Sequence, residues 1–290
     1  MSDATMAGRM CAGERAIFAT MHGKERVVAP LVRRFLGMAV AVPAGLDTDR
    51  FGTFARDVPR LSSALDAARQ KVAAAFAIDP GASLALASEG SFGPHPHFPF
   101  LAIDREIVVL ADRASGFELV GQHATASTNY SHRIVQNVSA GLAFAAGIGF
   151  PGHGVVVIAV RDGQPAPDMA LTKDVADHVA LGEAIADIIR RCGAAFVETD
   201  MRAHRNPQRM RAMARATTDL IRRARSRCPS CAAPGYVVSE RTAGLACADC
   251  GVPTLAIRAE IRTCIRCDHR VEQAVTAAAA DPRYCPCCNP

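Results

Sequence analysis

The chain has 290 residues, a formal net charge of +5, 50% hydrophobic and 21% charged residues, and no tryptophan. This length allows one large domain or two ordinary ones, and the composition excludes a disordered chain. No apolar run reaches the roughly 20 residues of a membrane span, and the N-terminal MSDATMAGRMCAGER lacks the apolar segment of a secretory signal, so a cytoplasmic protein with no membrane contact is expected.

Residues 1–14 read as a flexible N-terminus. RAIFAT (15–20) reads as a buried strand that enters the loop MHGKE, and an amphipathic helix follows to about Leu36. MAVAVP (38–43) is a second strand, and the polar stretch 45–60 an extended loop or hairpin. SSALDAARQKVAAAFA (62–77) has helical spacing with Ser62 in the capping position. SLALAS (83–88) is a third strand that runs into EGSFGPHPHFPF, too rich in Gly and Pro for either element. EIVVLAD (106–112) and FELVGQHATAS (117–127) form two strands around a turn. A short helix at 138–147, a strand at 154–160, a helix at 172–191, a strand at 194–200 and an Arg-rich helix from Asn206 to Arg227 complete the first part. Alternating strands and helices predict an α/β fold, and the paired strands near 106–127 make its sheet mixed. A boundary near Ser226 separates this α/β domain, residues 15–226, from a tail, residues 227–290.

The tail holds nine of the eleven cysteines. Cys228/Cys231, Cys247/Cys250, Cys264/Cys267 and Cys285/Cys288 are four CxxC pairs, with gaps of 15 and 17 residues inside the first and second halves. In a reducing compartment such pairs read as metal ligands. Each turn directs two sulfurs at one ion, so eight thiolates make two closed, structural Zn²⁺ sites, a small double zinc-ribbon-like module. Sequential pairing, 228/231/247/250 and 264/267/285/288, is favoured over a cross-braced one, and Cys287 is spare. Residues 1–200 carry 18 basic and 21 acidic side chains, and residues 201–290 carry 15 and 7. Two thiolate-bound zinc ions bring the latter's +8 to about +4. Nucleic acid or a protein is one partner for such a tail; a purely stabilising or dimerising role is the plainer alternative.

Candidate chemistry collects at strand ends. His22 and Lys24 stand where a helix N-terminus can take phosphate. Asp47 and Asp49, two apart, face one way in a strand and suit Mg²⁺ or a ribose hydroxyl. Glu89 follows a central strand, a position for a metal ligand or base, with His95 and His97 as phosphate or metal contacts. Glu198 and Asp200 lie beside Arg202, His204, Arg205 and Arg209, an acid pair with a basic cluster that fits a Mg²⁺–phosphate site. Of the 33 basic residues only Lys24, Lys71 and Lys173 are lysines. Asp66 and Lys71, five residues apart on a helix, occupy neighbouring flanks.

The set HGKE, DTDRFGTF, SEGSFGPHP, ETDMRAHRNPQRM and paired CxxC motifs resembles a bacterial family of unknown function with a zinc tail. Residues 15–112 are also similar, more faintly, to the inosine triphosphate pyrophosphatase and Maf superfamily. Ala19-Thr20-Met21-His22-Gly23-Lys24 matches its AT-x-N-x-x-K, one residue shorter and with His for Asn. Asp66-Ala67-Ala68-x-x-Lys71 matches E-N-A-x-x-K without the Asn, and Glu89-Gly90-Ser91 inverts its DSG-type turn. The resemblance implies a Mg²⁺-dependent nucleotide phosphohydrolase that releases pyrophosphate. Asp66, Glu89 and Asp200 would then be catalytic. His22, Lys24, Lys71, Ser91, His95, Arg202, His204 and Arg209 would hold a nucleotide or another phosphorylated small molecule. An adaptor that binds a nucleotide without turnover is the alternative.

Overall fold

Apolar strands alternate with amphipathic helices through the first half of the chain, as seen in a computed structural model that describes residues 13–52, 58 and 62–290. The N-terminus up to residue 12, with Cys11, lies outside the described residues, as does most of 53–61. β1 (Arg15–Ala19), α1 (Glu25–Leu36), β2 (Ala39–Ala41), α2 (Ala64–Ile78) and β3 (Leu84–Pro94) follow in order. β1 pairs in parallel with both β2 and β3. α1 buries Val28, Val32 and Leu36, one face at four-residue spacing, and Gly37 ends it in a left-handed conformation. Ser63, not Ser62, caps α2, its side chain accepting from the Asp66 N–H. The two crossovers lead to opposite sides of β1, and right-handed connections therefore put α1 and α2 on opposite faces of the sheet. The order β2-β1-β3 has its switch point between β1 and β3, and the crevice beyond their C-terminal ends is where open α/β sheets take ligands.

β4 (Ala102–Asp112) and β5 (Glu118–Thr125) add antiparallel strands, giving the mixed sheet β2-β1-β3-β4-β5. The segment Glu89–Pro94, expected as a loop, is strand, paired with β4 as far as Pro94↔Ala102. Its other neighbour β1 ends at Ala19↔Ala87, so among the described residues β4 is the extension's one strand partner, an edge position that tolerates Gly and a terminal Pro. Gly90 is required by close approach: a Cβ there would lie 2.5 Å from Glu106 Oε1 and 2.8 Å from Arg209 Nη2.

A second sheet follows, built of β6 (His132–Val135), β7 (Val155–Arg161), β8 (Gln164–Pro165), β9 (Leu171–Thr172) and β10 (Ala195–Thr199), with β10 antiparallel to both β6 and β7. α3 (Val138–Gly147) and α4 (His178–Cys192) cover one face, where Leu181, Ile185 and Ile188 meet Val155, Val157 and Val197. α4 starts six residues later than its periodicity suggests, because Asp177 caps it and Leu171–Thr172 pairs with β7. α5 (Pro207–Arg225) starts as expected at Asn206, whose Oδ1 accepts from the Arg209 N–H at 3.0 Å.

The described chain divides at Ile221 into two compact units. The second, Arg222–Pro290, is an antiparallel meander of β11 (Val237–Ala243), β12 (Ile257–Thr263) and β13 (Arg270–Ala274). No helix among the described residues is long and apolar enough to cross a membrane.

Candidate functional site

The switch-point crevice of the first unit holds a cavity of ≈ 20 Å³ lined by His22, Lys24, Asp49, Gly52, Lys71, Glu89, Arg202 and Arg209. That is room for about one water-sized group. Lys24 stands at the start of α1, just past the C-terminal end of β1, and its Nζ donates to the Ser88 carbonyl at 3.2 Å. It is 5% exposed. Burial first, then the charges of Lys71 and Arg209, lower its pKa to about 7, with Glu89 and Glu106 opposing. Lys71 projects from the buried face of α2 and forms an ion pair with Glu89 of β3, the two side chains being 7% and 3% exposed. Glu89 Oε2 also accepts from the Gly90 N–H at 3.2 Å.

Arg209 approaches from the first turn of α5. It donates to Glu106 Oε1 at 2.6 Å and to the Met201 carbonyl. Asp104, two residues along β4 from Glu106, is pushed up to about 7 by burial and by Glu106, against the pull of Arg209. Arg202 is gripped from both sides: Asp200 accepts from it at 2.6 Å and Asp174 at 2.8 Å. His22 bonds Asp49 at 2.8 Å and stacks on His204, with ring centroids 5.1 Å apart. His204 is held below the usual histidine range by burial, Arg202 and His22.

Five of the expected binding residues and one expected catalytic residue thus meet: His22, Lys24, Lys71, Arg202 and Arg209 line one cavity with Glu89. His204 touches its rim through His22, and Asp200 reaches it only through Arg202. Asp66 is a correction. It sits exposed at the start of α2, bound to Ser63 and within 3.7 Å of Arg69, because the turn between it and Lys71 carries it away from the buried face. Asp47 and Asp49 share no strand face either, since Asp49 opens a 3-10 turn and its N–H donates to the Asp47 carboxylate. Ser91 and His95 do not line the cavity; His95 Nδ1 instead accepts from the N–H groups of His97 and Phe98. Glu106, Asp104 and Asp174 escaped notice. The signal for the first two was available: Asp104 and Glu106 fall on the same alternate positions of β4 as the buried Val108 and Leu110.

A Mg²⁺ ion does not fit these donors. Glu89 is taken by Lys71, both Asp200 oxygens by Arg202, and Asp66 is remote. Beyond the cysteines, the described residues contain no group of three or more His, Asp or Glu side chains placed to hold one ion.

The cysteines do fit zinc. Two groups, Cys228/Cys231/Cys264/Cys267 and Cys247/Cys250/Cys285/Cys288, each bring four sulfurs within 4.8 Å of one another. Measured pairs are 3.6 and 3.7 Å apart in the first and 3.6 and 3.9 Å in the second. A tetrahedron with Zn–S of ≈ 2.3 Å requires about 3.8 Å between sulfurs. In all four CxxC turns the first cysteine's carbonyl accepts from the N–H four residues on, at Ala232, Gly251, Asp268 and Asn289. The N–H groups of Ser230, Arg266 and Cys287 point at the sulfurs of Cys228, Cys264 and Cys285. Against burial, backbone N–H groups, led by those of Cys231 and Cys288, together with the neighbouring sulfurs stabilise thiolate and pull Cys228 and Cys285 to about 7.

The pairing is cross-braced, which corrects the sequential expectation. The meander dictates it. The start of β11 lies beside the end of β12, Val237 opposite Thr263, so the first and third turns meet at one end of the sheet. The second turn, after β11, meets the return of the chain after β13 at the other end, where Cys247 pairs with Ala280. Alternating VVSERTA and IRAEIRT between the cysteines was the available sign of that meander. Cys287 is exposed and outside both groups.

The chain belongs to a family described as a domain of unknown function (DUF6671), which it matches over residues 73–290. The match includes Glu89, Arg202, Arg209 and all eight zinc-ligand cysteines, and begins two residues after Lys71. No curated protein matches the chain.

Proposed function

We propose that the first unit binds the phosphate groups of a nucleotide or a similar phosphorylated small molecule at the switch-point cavity, and that the second is a zinc-stabilised scaffold. The observation that carries this reading is the convergence of Lys24 and Lys71 with His22, Arg202 and Arg209 beyond the end of β1 and beside the middle of β3. Lys24 is the informative group. The cations around it outweigh the carboxylates in lowering its pKa, so the local potential favours an incoming anion. Binding one restores the charge on Lys24 by proton uptake and adds a charge-assisted hydrogen bond. Lys71 is oriented by Glu89, and Arg202 by Asp200 and Asp174.

In the hydrolytic form of this reading, Glu89 orients the attacking water and Lys24 and Lys71 stabilise charge on the departing pyrophosphate. The engagement of Glu89 by Lys71 favours the second form, an adaptor that holds the nucleotide without turning it over. One experiment separates them. Purified zinc-loaded protein is incubated with a panel of nucleoside triphosphates, with and without Mg²⁺, while pyrophosphate, phosphate and thermal stabilisation are followed. Product release that disappears in Glu89→Gln identifies the hydrolase, stabilisation without product identifies the adaptor, and neither signal for any nucleotide refutes both.

For the zinc unit, a scaffold is favoured over a nucleic-acid clamp by charge. Arg222–Pro290 carries ten arginines against six carboxylates, and two four-thiolate zinc sites bring it to about zero. Arg241, Arg258, Arg270 and Arg283 are paired with Glu260, Glu272, Glu240 and Asp281.

A further inference from the structure

On the outer side of α5, away from Arg209, the first unit has a groove of ≈ 300 Å³ between that helix and β5, lined by His123, Thr125, Ser127, Gln208, Arg211, Ala212 and Arg215. Its shape follows from two contacts. At one end β5 and α5 touch, because Gly121 has no side chain; a Cβ there would overlap the Ala216 carbonyl and the Leu220 amide. At the other end Gln208 Nε2 donates to Ser127 Oγ at 3.3 Å. From Gln208 to Ala216 the helix advances about 12 Å.

The lining is one-sided in chemistry. Arg211 and Arg215, one turn apart, are exposed along the helix wall, and His123 and Thr125 share one face of β5 opposite them. No carboxylate lines the groove among the described residues. β5 is also the edge of its sheet. The Gln122 N–H points off that edge and donates to Asp219 at 3.0 Å, so by the two-residue period of the strand the Ala124 N–H points the same way, alongside the groove. The Arg215 charge, after burial, holds His123 below the ordinary histidine range, with Asp219 opposing.

We propose that this groove is a second binding site, separate from the switch-point cavity, for a phosphate ester: two guanidinium groups, hydroxyls, an imidazole and a backbone N–H surrounding one anion. Paired arginines suit the flat oxygen faces of phosphate, and the volume lies at the lower limit of small-molecule pockets, enough for a phosphate with its sugar. The source can be a free nucleotide or one phosphate of a single-stranded nucleic acid, and the groove does not depend on what the switch-point cavity binds.

The test titrates the zinc-loaded full chain with inorganic phosphate, with adenosine monophosphate and with a short single-stranded oligonucleotide. The His123 ring protons, assigned by the spectrum of His123→Gln, report on the groove alone. The site predicts a saturable shift of His123 and a loss of at least about tenfold in affinity in Arg211→Gln/Arg215→Gln, equivalent to about 1.4 kcal/mol. Both substitutions are at exposed positions, so the unfolding midpoint serves as the check on folding. An oligonucleotide bound more tightly than the mononucleotide, with affinity falling steeply in salt, identifies a nucleic-acid phosphate; equal or weaker binding identifies a free ester. A His123 signal unmoved by all three probes, or a folded double variant that binds like the parent, overturns the proposal.

Discussion

Replacing Lys71 with Met removes the cation paired with the Glu89 carboxylate at a position where the two side chains are 7% and 3% exposed. Removing one partner of a buried pair costs roughly 3–5 kcal/mol, and the charges of Lys24 and Arg209, which also act on Glu89, offset part of that cost. Glu89 keeps the Gly90 N–H, which places the expected cost toward the lower end. For a unit of this size that is a fall of roughly 6–20 °C in the unfolding midpoint. Lys71→Met/Glu89→Gln removes both charges and should recover at least half of the loss, leaving a coupling energy of roughly 1–3 kcal/mol. Urea unfolding followed by far-ultraviolet circular dichroism is the suitable assay. The chain has no tryptophan, and of its three tyrosines only Tyr130 lies in the first unit. A Lys71→Met variant destabilised by less than about 1 kcal/mol, or a double variant no more stable than Lys71→Met, would refute the buried-pair argument.

Cross-bracing has its own signature: Cys267→Ser should halve the zinc content and expose Cys228, Cys231 and Cys264 to alkylation while Cys285 and Cys288 stay protected, whereas sequential pairing would expose those two instead. A chelator should likewise melt Arg222–Pro290 and spare the first unit, since binding energy and folding energy are coupled at such sites. Stability should vary with pH in two opposed limbs. From 3.8 to about 7 the folded chain holds a proton on Asp104 that the unfolded chain has lost, so stability falls as pH rises. From about 7 to 10.5 the unfolded chain holds one on Lys24 that the folded chain has released, so stability rises. Asp104→Asn should flatten the first limb and Lys24→Met the second, read from urea unfolding at a series of pH values. Gly121→Ala, which drives a methyl into the backbone of α5, should cost roughly 1–3 kcal/mol in the same assay.

Local patterns carried most of the first unit. Helical spacing located α1, α2, α3 and α5, and short apolar runs located β1, β3, β7 and β10, because each buries a continuous stripe or face. What failed was non-local. Nothing in EGSFGP announces a strand; it becomes one because β4 is long enough to pair with it and β1 stops short. β6, β8 and β9 are brief and owe their form to pairing with β7 and β10. Among site residues, Lys24, Lys71 and Glu89 were legible as rare or charged residues at strand ends and on an alanine-rich helix. Asp66 was given a catalytic role by likeness to a motif, although the five-residue separation from Lys71 already set it on another flank. The zinc ligands were fully legible as residues, yet their partition was not, since it is decided by which strand ends meet.

The central proposal is that Lys24 gives up its proton around pH 7 and regains it when an anion binds in the cleft beside it. With only three lysines in the chain, selective ¹³C labelling at the lysine ε-carbon gives three resonances that can be titrated one by one, with Lys24→Met for assignment. The account predicts that Lys24 titrates near 7 in the free protein and moves up when a nucleoside triphosphate saturates the site. Three lysines titrating together in the ordinary range, unchanged by any phosphorylated ligand, would contradict it.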